Sequence, residues 1–211
     1  MKLAMLEKKR IPGKLKRTVV AREPKGTIMM RDTGLLILRL VIGGLQAGHG
    51  SQKFFGWFSG PGLKGTAGWL ESIGLKPGAP WASAAAAAEF GGGTLTTLGF
   101  LHPLGPMGTI GSMVMATAKA HWGKPIWATE GGAELPVIDM AAALALMLTG
   151  PGRFSLDRVF GIRLPRTLVI AIAVVEAVLL AYGILSSPKT ALAPTREDVV
   201  DTGVEVGKGT L

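Results

Sequence analysis

The sequence predicts an all-α fold: an integral membrane bundle of five transmembrane helices. Three observations predict it. Hydrophobic residues make up 48% of the 211 positions, and they gather in five apolar stretches rather than in alternating strands. All five tryptophans fall between those stretches or at one end of them, as the indole preference for the headgroup layer requires. Basic residues cluster where the chain would lie on one side of a bilayer.

The elements follow in order. Ten of the 23 basic residues lie in the first 31 positions, from Lys2 to Arg31, against Glu7 and Glu23 alone. This arm is expected to hold the first span on the cytoplasmic side and to meet anionic lipid, and its length argues against a cleaved signal peptide. The first span is expected at 34–55. In the loop after it, Leu63, Ala67, Leu70 and Ile73 recur at helical spacing around Trp69, which predicts a short helix on the outer surface between Gly60-Pro61-Gly62 and Gly74. Further spans are expected at 81–101, 104–122, 134–149 and 165–186. Alanines 84–88, glycines 91–93, Gly108 and Gly111 would let the second and third spans pack closely.

Orientation has an internal check. Arg153, Arg158, Arg163 and Arg166 follow the fourth span, so four crossings return the chain to the side of the basic arm. The loops at 56–80 and 123–133 and a polar tail at 188–211 then lie outside, with the N-terminus on the cytoplasmic side of the membrane. The net charge of +9 is concentrated beside the first span, which argues for lipid and against nucleic acid. No cysteine is present, which excludes disulfides, cysteine-held zinc and iron–sulfur clusters. His49, His102 and His121 do not share a depth, so haem is not expected, and no tight ligand spacing supports a metal.

The candidate chemistry lies in polar residues inside the spans. Arg39, Gln46, His49 and Lys53 fall within roughly a quarter of the helix circumference. A charge near the bilayer centre costs about 2.5–3.5 kcal/mol, so such a stripe must face protein or water. By depth, His49, Lys53, Glu89, Lys119, Glu134 and Asp139 all belong to the outer half of the bundle. They predict one shared pocket. His49, Lys53 and Glu89 would carry its chemistry, and Gln46, Arg39, Lys119, Glu134 and Asp139 would bind. A histidine and a lysine can hydrogen-bond quinone carbonyls while a carboxylate passes protons. The same groups could hold an anion, or serve as interhelical glue. Glu176 stands alone in the fifth span.

These residues also carry a family resemblance. The runs LRLVIGGLQAGHGSQKFFGWFSGPG, AEFGGGTLTTLGFL, GGAELP and GPGRFSLD resemble the DoxX family, with Arg39, His49-Gly50, Lys53, Glu89, Glu134 and Gly150-Pro151-Gly152 in register. The resemblance implies a four-helix membrane core over 33–158, preceded by the arm at 1–32 and followed by the added helix at 159–187. The family is similar to the small subunit of thiosulfate:quinone oxidoreductase. That implies a quinone-linked oxidoreductase or respiratory assembly, quinone as the cofactor, and membrane or peripheral redox subunits as partners. A non-catalytic accessory subunit and a small-solute carrier are the alternatives. The loop LHPLGPMG departs from the family's usual basic sequence.

Overall fold

The computed structural model describes residues 25–186, and the expected basic arm up to residue 24 and the tail from residue 187 lie outside them. Helix α1 spans Lys25–Phe55, α2 Gly62–Ser72, α3 Gly78–Leu98, α4 Leu104–Ala120, α5 Glu134–Thr149, α6 Leu156–Phe160 and α7 Arg166–Ser186. A single 3₁₀ turn covers Ala128–Glu130. No strand occurs among the described residues, so the all-α class holds.

The four core helices close into a ring: α1 packs on α3, α3 on α4, α4 on α5, and α5 back on α1. Small residues make this possible, because interhelical packing in lipid depends on close backbone approach. A Cβ on Gly50 would overlap the backbone of Phe90, and one on Gly93 would overlap Ala47. Gly92 and Gly108 face each other across the α3–α4 crossing, where a Cβ on Gly92 would lie 3.1 Å from the carbonyl oxygen of Gly105.

Helix α2 follows the expected spacing, but it does more than lie on a surface. Leu70, Leu75 and Ala82 form a buried cluster that binds it to α3, with Trp81 and Met115 packed against them. Helix α7 packs on α4 and runs parallel to it. Ile184 lies beside Lys119, while Gly183 lies beside Met115 and Trp81, so the C-terminal ends of α4 and α7 share the tryptophan-bearing end.

Among the described residues, only α7 is both long and apolar enough to qualify as a span by length and composition, and just 6% of its apolar window is buried. Helices α4 and α5 have 17 and 16 residues, short of the usual 20 or so. The polar stripe of α1 and the glycines and threonines of α3 lower the apolar character of those two helices. Of the five expected spans, α7 alone therefore meets both criteria, and its surface is apolar except at a few positions such as Glu176.

Candidate functional site: a cavity between α2, α3, α4 and α7

Helices α1 and α3 are antiparallel, and helical side chains lean toward their own N-termini. Lys53, near the C-terminal end of α1, therefore leans into the bundle, and Glu89 of α3 leans out toward it. The Lys53 ammonium donates to both carboxylate oxygens of Glu89. Glu89 is 3% exposed. The Lys53 side chain keeps 26% of its surface. A buried carboxylate needs such a partner, because an isolated charge in low dielectric is strongly disfavoured. An ammonium has three donors, so Lys53 retains one beyond those engaged by Glu89.

This pair stands in the wall of a cavity of about 640 Å³. The cavity lies between α2, α3, α4 and α7, and alanine, leucine, isoleucine and valine make up much of its wall. Trp69 and Trp81 border it, and the Trp81 ring stacks on Tyr182 with centroids 6.1 Å apart and planes 16° from parallel. Lys119 also lines it, with its ammonium donating to the carbonyl of Ile184 at 3.0 Å. Glu176 of α7 reaches the same space across Gly111, where a Cβ would overlap its carboxylate. The arrangement suits an amphiphile: apolar walls for a hydrocarbon body, and a few polar groups to orient a head.

The other expected residues lie elsewhere, and the single shared pocket is corrected accordingly. Gln46 donates from Nε2 to Asp139 at 2.9 Å, a buried contact between α1 and α5. His49 is exposed on that side of α1 and does not line the cavity. Glu134 accepts from the backbone N–H of Ala128 at 2.8 Å and ties down the loop before α5. His121 Nδ1 lies 2.6 Å from the carbonyl oxygen of Gly131, in the same loop. Of the eight expected site residues, three reach the cavity: Lys53, Glu89 and Lys119.

Arg39 sits at the opposite, arginine-bearing end, 2% exposed. Its guanidinium donates to the carbonyl of Phe154 and lies against Gly99. Asp157 of α6 accepts from the backbone N–H groups of Leu101 and His102, each at 2.8 Å. Its own N–H donates to the carbonyl of Gly99 at 3.1 Å. Burial holds the pKa of His102 below its usual value, opposed by a hydrogen bond to the Met147 backbone and by the Asp157 charge, while the Arg39 charge lowers it further. Asp32, 1% exposed, accepts from the backbone N–H of Arg153 at 3.3 Å. Helix α6 is thereby clamped beneath the α3–α4 turn.

Sequence reasoning passed over Trp81, Tyr182 and α6. Tyr182 lies six residues along α7 from Glu176, about 120° around the helix, so no shared face marks the pair in the sequence. Ser155 supplies the N-cap of α6 by accepting from the Arg158 N–H at 3.3 Å, which is a readable start signal.

Residues 34–122 match the family model DoxX, so the first four helices lie within or across the matched segment and α5 to α7 lie beyond it. No curated protein and no solved structure matches the chain.

Proposed function

We propose that this membrane protein, a member of the DoxX family through its domain at residues 34–122, binds a quinone-type amphiphile in the cavity between α2, α3, α4 and α7. On this reading it is a subunit of a quinone-linked oxidoreductase or respiratory assembly. One observation carries the proposal: an apolar cavity of about 640 Å³ with the Lys53–Glu89 pair in its wall, inside a bundle made for lipid. The volume falls in the range of small-molecule sites, about 300–1,000 Å³. The free N–H of Lys53 can donate to a ring carbonyl, and Glu89 can take up or release a proton beside it. Trp69 and Trp81 offer flat apolar surface for a ring. A bound quinone would supply the two-electron chemistry. Electrons would come from a partner subunit.

The membrane topology belongs to the same proposal. The core helices and α7 cross a bacterial cytoplasmic membrane, with the arginine-bearing end inside and the tryptophan-bearing end outside. The cavity then lies near the outer leaflet, where a lipid-soluble molecule can enter sideways.

A second reading, an accessory subunit without chemistry of its own, is favoured by α7. Its apolar window is almost wholly exposed in the single chain, a surface that lipid or a partner helix must cover. Purification in mild detergent with mass spectrometry of co-eluting lipids and proteins separates the two. Quinone retained by the wild type and lost from Lys53→Met and Glu89→Leu, with the complex intact, supports the first. A complex that dissociates in those variants while no quinone co-elutes with the wild type supports the second.

A further inference from the structure

Glu176 is a carboxylate in the middle of α7, and it points at the cavity across a glycine. Ala or any larger residue at position 111 would collide with it. Among the described residues it has no hydrogen-bond or ion-pair partner, in contrast to Glu89, which Lys53 neutralises. The other ammonium of the α4–α7 interface, Lys119, is engaged by the carbonyl of Ile184. Ile184 lies eight residues beyond Glu176, or roughly 12 Å along the helix. Glu176 is half-buried, and holding even part of a carboxyl group against apolar neighbours without a partner costs desolvation that leucine or valine in the same wall would not. Beside the Lys119 ammonium of α4, the cavity therefore sets two polar points on different helices toward a ligand: an ammonium donor on α1 and an acceptor on α7.

We propose that Glu176 determines specificity by accepting a hydrogen bond from a hydroxyl of the cavity ligand, so that the site prefers the hydroquinone form to the quinone. The inference rests on the quinone reading above and deepens it. A quinone offers acceptors only, which suit Lys53 and leave Glu176, as the ionised carboxylate, unanswered. A hydroquinone offers an oxygen to Lys53 and an O–H to Glu176. Helix α7 lies beyond the DoxX-matched segment, so this second point is an addition of the C-terminal part of the chain to the matched core.

The test uses the full chain in mild detergent under anaerobic conditions. Binding of a decyl-substituted benzoquinone is read by quenching of tryptophan fluorescence, since Trp69 and Trp81 border the cavity. Binding of its hydroquinone is read by displacement of that quench. Glu176→Leu should lower hydroquinone affinity about tenfold and change quinone affinity less than about threefold, because a charge-assisted hydrogen bond is lost and only one form makes it. Gly111→Ala keeps the carboxyl group but displaces it, and should act in the same direction. A purely structural role for Glu176 would move both forms together. Equal changes in both, or none in either, would overturn the inference while wild-type binding abolished by Lys53→Met leaves the functional reading standing. Failure of the wild type to bind either form would overturn both.

Discussion

Two basic residues of α1, Lys53 and Arg39, are held at opposite ends of the bundle, and the two settings differ in kind. At the tryptophan-bearing end, Lys53 holds Glu89 at the edge of a cavity and keeps hydrogen-bonding capacity unused. At the arginine-bearing end, Arg39 and Asp157 are consumed by backbone: the Phe154 carbonyl takes a guanidinium N–H, and Asp157 accepts from Leu101 and His102. An ion pair beside open space is free to meet a ligand, whereas charges bound to the main chain serve the fold. The polar stripe of α1 is therefore two devices, a clamp at one end and, on the function proposed above, a binding group at the other.

Breaking the clamp should have the largest effect on stability. Asp157→Ala leaves the backbone N–H groups of Leu101 and His102 without their acceptor and takes a negative charge away from the neighbourhood of the buried Arg39 guanidinium, and is expected to cost about 3–5 kcal/mol. Thermal unfolding in detergent checks this. The cavity pair should behave differently. Lys53→Met alone strands Glu89, but Lys53→Met with Glu89→Leu replaces both charges by apolar groups, a change that is often neutral or stabilising. The double variant is expected to fold like the wild type within about 1 kcal/mol. It should also lose quinone affinity by about tenfold or more. Unfolding and ligand titration on the same sample decide it. If the double variant proves as unstable as Asp157→Ala, the two ends are not different in kind.

A smaller effect is expected at Gly99, which caps α3 in the left-handed region at φ +61°. Its missing Cβ leaves room for Arg39. Gly99→Ala should lose about 1–2 kcal/mol through backbone strain and displacement of the guanidinium. The smallest effect concerns pH. The folded-state pKa of His102 lies below its ordinary value, so the unfolded chain binds more protons as pH falls. Stability should be complete above the ordinary histidine pKa, decline as pH drops below about 6.5, and level off once the folded-state value is passed. His102→Gln should remove that part of the pH dependence, as unfolding midpoints measured from pH 8 to 5 would show.

Helix placement was legible in the sequence because apolar runs and glycine or proline breaks mark it directly. The expected span at 134–149 coincides with α5, and the Leu63 to Ile73 spacing marks α2. The described part of helix α1 reaches back to Lys25, well before the expected 34, because Gly34 and the polar first turns do not interrupt a continuous helix. The candidate site was legible only in depth. Depth puts His49, Lys53, Glu89, Glu134 and Asp139 in one layer, but it does not say which neighbour each residue faces. A step of seven residues returns almost to the same face of α1, yet Gln46 meets α5 through Asp139 while Lys53 extends to α3. The clamp was illegible because Asp157 reads as a solvated loop charge until the turn after α3 supplies its two N–H donors.

The central claim is that ligand enters the α2–α3–α4–α7 cavity rather than the α1–α5 face. Photolabelling with an azido-quinone, followed by peptide mass spectrometry, tests it most directly. Labels on Trp81, Met115 or Leu179 that Glu89→Leu abolishes are the predicted result. Labels around His49 and Asp139, or none above background, would contradict it.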